Sequence, residues 1–119
     1  MTNKEGNTED TLVILWTTKD PEVAENMIFM YAKKAKSMGW WENIRVVLWG
    51  PSANLMANHA ELQGRLEDVI ASGVKVLACK TCADTYGVSG ILEGLGIEVL
   101  YMGEHLTNYL KSGVYMLTL

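Results

Sequence analysis

Apolar positions along the chain fall into five short runs separated by segments of helical period. Leu12-Val13-Ile14-Leu15-Trp16 is apolar on both faces, as a strand buried between two helix layers must be. Ile44–Trp49, Val74–Cys79, Ile97–Tyr101 and Val114–Leu119 share that character, with β-branched residues suited to a sheet interior. After the first run, Asp20-Pro21 supplies an N-cap and a proline fitted to a first helical turn. Ala24, Met27, Ile28, Tyr31, Ala35 and Met38 then recur at spacings of three and four, which predicts a helix with one apolar stripe stopped at Gly39. Gly50-Pro51-Ser52 turns into a helical region reaching Ser72, with Leu55, His59, Leu62, Leu66 and Val69 on one face. Asn58 and Glu61 read as a capping box inside it, so the region is one kinked helix or two, ended by Gly73. A third helical stretch follows Cys79 through Leu95, broken at Gly87, and Glu104–Lys111 is a brief helix stopped at Gly113. Strands alternating with helices predict repeated βαβ units: one three-layer α/β/α domain over residues 11–119 with a mainly parallel, doubly wound five-stranded sheet. Residues 1–10 (MTNKEGNTED) are polar and predict a flexible tail.

Composition narrows the class. With 119 residues, 49% of them hydrophobic and 20% charged, the chain suits one packed domain and excludes general disorder. Lys and Arg number 10 against 14 Asp and Glu, and a net charge of −4 argues against nucleic-acid and membrane-surface partners. The longest apolar run, Met27–Ala32, is far shorter than the roughly 20 residues of a membrane span. The polar first ten residues lack the apolar core of a signal peptide, so a cytoplasmic location is expected. Two cysteines in such a chain do not make a disulfide framework. Trp16, Trp40, Trp41 and Trp49, with seven methionines, exceed the needs of so small a core and suit either dense packing or a subunit interface.

Sites in open α/β sheets collect beyond the carboxyl ends of the strands, which selects the loops at 17–21, 50–52, 79–84 and 102–105. The third holds Cys79-Lys80-Thr81-Cys82. A thiol between a strand end and a helix start meets unpaired N–H groups and a helix dipole, both of which favour the nucleophilic thiolate. Position makes Cys79 the expected reactive thiol, and Lys80 adds positive charge if it turns inward. Buried, inert cysteine is the competing reading. A zinc site has only His59 and His105 to add and lacks a second paired motif, so no metal is expected. A thioredoxin-type exchange site is disfavoured because Pro21 and Pro51 both stand at helix starts. His59 lies on an apolar stripe, where a packed histidine is the commoner outcome. Gly90, Gly94 and Gly96 lack the strand-first context of a dinucleotide fingerprint, and no P-loop is present, so no cofactor is expected.

The segment Ala78-Cys79-Lys80-Thr81-Cys82-Ala83-Asp84-Thr85-Tyr86-Gly87-Val88 resembles the DsrE/DsrF-like family of small sulfur-handling proteins. The likeness extends to the opening strand, to Trp49-Gly50-Pro51-Ser52 and to Gly96-Ile97-Glu98-Val99. It implies a flavodoxin-like sheet, trimeric or hexameric assembly, a protein sulfur donor or acceptor, and a cysteine that carries sulfur as a persulfide. That role falls on Cys79, which stands eight residues before Gly87 as in sulfurtransferase members of the family. Cys82 becomes a resolving or packing thiol. Lys80, Thr81, Asp84 and Tyr86 around the thiols, with Pro51 and Ser52 from the neighbouring loop, become candidate binding residues. The second cysteine, Lys80 and Asp84 depart from those members, so the surface offered to a partner differs. A non-catalytic oligomeric module of the same fold stays open as the alternative.

Overall fold

The computed structural model describes Asp10–Leu119. The expected tail therefore lies, apart from Asp10, outside the described residues. Among the described residues five strands form, β1 (Thr11–Trp16), β2 (Asn43–Leu48), β3 (Lys75–Cys79), β4 (Glu98–Leu100) and β5 (Tyr115–Thr118). Helix α1 joins a turn at Pro21–Val23, a π-helical stretch at Ala24–Phe29 and an α-helical stretch at Met30–Ser37. It is followed by α2 (Pro51–Asn58), α3 (Ala60–Ala71), α4 (Lys80–Tyr86), α5 (Ser89–Gly94) and α6 (Gly103–Ser112). All strand pairs are parallel and the order is β4-β3-β2-β1-β5. The α/β class is thus as the apolar pattern predicts.

Strand order decides how the two faces are covered. Steps from β1 to β2, β3 and β4 all move the same way across the sheet. Right-handed crossovers then place α1 to α5 on one face, and the return from β4 to β5 places α6 on the other. The first face buries Leu12, Ile14 and Trp16 of β1 with Ile28, Met56, Leu62, Leu66 and Leu92 from the helices. Trp16, wholly buried, meets Phe29 edge to face with ring centroids 5.4 Å apart. The second core is smaller: Val13, Leu15, Val47, Leu77 and Cys79 lie under Met102, Leu106 and Tyr109. Towards the amino ends of the strands that face turns polar. Lys75 pairs with Glu98 at 3.4 Å, and the Arg45 guanidinium donates to the Tyr109 hydroxyl at 3.1 Å.

Three local expectations are corrected. In α1 the Asp20 carboxylate caps Glu22 as predicted, but the apolar stripe is not the predicted one. A π turn holds an extra residue, so the inward positions become Ala24, Ile28, Phe29, Ala32 and Ala35, while Met27, Tyr31 and Met38 turn out to solvent. Between α2 and α3 the chain breaks at His59, extended at φ −124° and ψ 100°. Its Nδ1 caps the Leu62 N–H at 3.2 Å, whereas the Asn58 amide donates back to Asn54, so the Asn58–Glu61 box does not form. Finally, β5 is an edge strand, with Tyr115 55% and Leu117 41% exposed, although its sequence reads as buried on both faces.

The edge strand is nonetheless tied at its end. The Leu119 carbonyl accepts the Thr17 N–H at 2.7 Å and the Thr17 hydroxyl at 2.9 Å. Deleting residues 114–119 strips β1 of its hydrogen-bonded neighbour from Leu12 to Leu15 and leaves this buried apolar strand as the open edge of the sheet. The truncated chain is expected to precipitate or to lose its cooperative thermal transition. A soluble truncation with an unchanged melting curve would show that β5 does not hold the sheet.

Candidate functional site

Cys79 is both the last residue of β3 and the N-cap of α4. Its backbone is extended (φ −69°, ψ 119°), and its Sγ accepts the Cys82 N–H at 3.5 Å, where a cap oxygen would ordinarily sit. The side chain points to the thinner face, in register with Leu100 and packed with Met102, which leaves Cys79 6% exposed. Cys82 stands one turn on, half-buried against the same cluster. Both thiols are free.

The loop after β2 supplies the next part. The Gly50 N–H donates to Cys82 Sγ at 3.2 Å. Gly50 sits at φ 74° and ψ −137°, a conformation essentially restricted to glycine. A Cβ there would meet nothing within 4 Å, so the demand is one of backbone and not of space. Ser52 fixes this loop from below. Wholly buried, it donates its hydroxyl to the Trp16 carbonyl at 2.6 Å and accepts the Trp49 N–H at 3.0 Å. Its hydroxyl is therefore engaged by backbone groups, and Ser52 acts on the thiols through the position of Gly50. Pro51 is exposed in the first turn of α2.

At Cys82 the electrostatics run against the activation that the motif suggests. Burial pushes the Cys82 thiol up from its ordinary pKa and the Cys79 thiol adds to the rise, while the Gly50 N–H opposes it. Lys80 turns outward instead of towards the thiols. Its ammonium lies 3.1 Å from the Asp84 carboxylate and 5.8 Å from the Tyr101 ring centroid. Asp84 holds Lys80 above the usual lysine range, and Asp84 is itself held below the usual carboxylate range by the Ser89 hydroxyl and then by Lys80. Thr81 and Tyr86 are exposed on the same short helix. With seven residues, α4 has little macrodipole, so the polar support of the sulfurs comes from two defined N–H donors.

The loops selected by the carboxyl-end rule thus divide. Those at 50–52 and 79–84 meet at the thiols, and the fourth adds Met102 over Cys79. The loop at 17–21 turns away to hold Leu119. Gly50, whose N–H reaches Cys82 Sγ, is the position at the thiols that motif reading passes over. Its signal is a glycine between a strand end and a proline that opens a helix. Tyr101, read as a strand end, lies past β4 under the Lys80 ammonium. His59 caps a helix and His105 is exposed, and among the described residues no group of three or more His, Cys, Asp or Glu side chains converges to hold a metal.

Comparison with known proteins places this geometry. The model of the DsrE/DsrF-like family matches residues 11–119. The chain belongs to the DsrE/DsrF-like family. Among solved structures it is similar to BT1422, a conserved protein of unknown function from Bacteroides thetaiotaomicron, at 43% identity and TM-score 0.90, over 92% of this chain and 95% of that one. The ychN protein from E. coli shares the fold at 20% identity and TM-score 0.68, covering 93% and 99% of the two chains. MTH1491 from Methanobacterium thermoautotrophicum, also of unknown function, does so at 20% identity and TM-score 0.70, covering 93% and 100%. No curated protein matches. Within the DsrE/DsrF-like fold the thiol pair occupies the carboxyl end of β3, where α/β sheets place their sites.

Two substitutions probe the support of the thiols. Gly50→Ala is expected to destabilise by about 1–3 kcal/mol through backbone strain. Ser52→Ala should cost about 1 kcal/mol, because the Trp16 carbonyl and the Trp49 N–H still reach each other at 3.0 Å. Chemical denaturation of each variant measures both values. A Gly50→Ala protein as stable as the parent would show that the glycine conformation carries no constraint.

Proposed function

We propose that this DsrE/DsrF-like domain accepts sulfur on Cys79 and carries it as a persulfide. The observation that carries the reading is the free Cys79 thiol at the end of β3, with a backbone N–H on its sulfur and a second thiol one turn away. Membership of a family related to sulfur relay supports it. In the step, the Cys79 thiolate attacks the outer sulfur of a donor persulfide. A bond forms from Cys79 Sγ to that sulfur, the S–S bond of the donor breaks, and the donor leaves as its thiolate. Near-complete burial of Cys79 favours a slender donor: a low-molecular-weight persulfide, or a protein persulfide borne on an extended tip. Free thiols of this kind suit a reducing, intracellular compartment.

Assembly as a homo-oligomer, a trimer in the reading that the family suggests, forms part of the proposal. Met27, Met30, Tyr31 and Leu117 line an apolar groove of about 430 Å³ between α1 and the edge strand β5. Beside it Trp41 packs on Tyr115 with ring centroids 5.4 Å apart and donates its indole N–H to the Tyr31 hydroxyl at 3.0 Å. Apolar surface of this extent next to an open strand edge is the kind that subunit contact covers.

Incubation of the reduced protein with glutathione persulfide, followed by intact-mass spectrometry, tests the chemistry. A Cys82→Ser protein is expected to gain one sulfur, and a Cys79→Ser protein none. Uptake by Cys79→Ser would overturn the assignment to Cys79, and no uptake by a folded Cys82→Ser protein that keeps Cys79 would favour the inert oligomeric module. Sedimentation equilibrium tests the assembly: Met30→Glu combined with Leu117→Lys should bring a multimer down to the mass of one chain. A parent protein of single-chain mass at every concentration would overturn it.

A further inference from the structure

We infer that Cys82 discharges the persulfide held on Cys79, closing a Cys79–Cys82 disulfide and releasing sulfide. The inference rests on the persulfide reading above and adds the fate of the sulfur. Three observations carry it. Cys79 is 6% exposed, so an outside acceptor approaches its inner sulfur poorly, whereas the fold sets Cys82 beside it. The two residues occupy the N-cap and the third position of one helix, whose side chains are neighbours in a first turn, and the Cys82 N–H already reaches Cys79 Sγ at 3.5 Å. The Gly50 N–H on Cys82 Sγ at 3.2 Å stabilises negative charge on that sulfur as it becomes the attacking thiolate.

The step balances without an outside oxidant. The Cys82 thiol passes its proton to the terminal sulfur of the Cys79 persulfide anion. The resulting thiolate attacks Cys79 Sγ, the Sγ–Sγ bond forms, the bond from Cys79 Sγ to the terminal sulfur breaks, and hydrosulfide leaves with that electron pair. The sulfane sulfur is reduced and the two cysteines are oxidised. A Cys82 thiol held protonated by its burial has that proton to give. A dithiol reductant then reopens the disulfide for another round.

A single-turnover experiment decides it. The reduced full chain receives one equivalent of glutathione persulfide without reductant, and released sulfide and intact mass are followed together. The parent should release about one sulfide per chain above a protein-free control and lose two hydrogens from its mass, a change reversed by a dithiol. Cys82→Ser, with Cys82→Ala as a second variant should the first misfold, should retain one added sulfur and release none. Gly50→Ala, whose strained backbone shifts the N–H away from Cys82 Sγ, should slow release by about tenfold, near the low end of the worth of a hydrogen bond to a charged acceptor. A parent that keeps the added sulfur as long as Cys82→Ser, with no sulfide above control, overturns this inference and leaves the persulfide reading standing. Absence of added sulfur in both folded Cys82 variants overturns the persulfide reading, and this inference with it.

Discussion

The right-handedness of the connection between parallel strands is the constraint from which the rest of this molecule follows. Three successive steps in one direction across the sheet put five helices over one face, and the single return step leaves the other face to α6. The first face therefore holds the deep core around Trp16. The second is thin, and its apolar part includes the carboxyl end of β3, where Cys79 lies under Met102. The return step also makes β5 an edge strand, so that apolar side chains which α1 faces but does not cover remain open.

On that frame the thiols are positioned by backbone and not by charge. The connection runs from a core carbonyl, Trp16, through the Ser52 hydroxyl to the Trp49 N–H, and from there to a glycine whose N–H reaches Cys82. Each link is short and buried or half-buried, and one of them requires a conformation that side chains resist. Lys80, the cation nearest in sequence, is drawn off by Asp84 and the Tyr101 ring. An amide donor stabilises a sulfur anion without forming a competing ion pair, and it stays in place when the sulfur changes its protonation. Such a site suits thiol chemistry that begins and ends with neutral or singly charged sulfur.

Apolar surface at the β5 edge follows from how the fold divides its large apolar residues. Tryptophan and methionine in excess of core needs read from composition as packing or interface, and the fold divides them. Trp16 goes to the core, while Met27, Met30 and Trp40 go to the surface and Trp41 to its margin against Tyr115. The π turn in α1 produces much of this division, since the extra residue it holds rotates Met27 and Tyr31 out and brings Phe29 and Ala32 in.

What the sequence by itself determined were strands and helix ends whose signals lie within a few residues. Buried parallel strands are legible because burial on both faces leaves a continuous apolar run, as in Leu12–Trp16. The Asp20 cap and the stops at Gly73, Gly87 and Gly113 are legible because helix ends require particular side chains or a positive φ within a residue or two. The cysteines could be located at a strand end for the same reason. Tertiary structure alone decided the strand order, the edge position of β5, the π turn and the engagement of Gly50 with Cys82, a contact between residues 32 positions apart. It also chose the direction of Lys80, which has a thiol one residue before it and a carboxylate four residues after it. These outcomes turn on which surfaces meet after the chain has crossed the sheet, and a linear pattern of apolar and polar residues holds no record of that meeting.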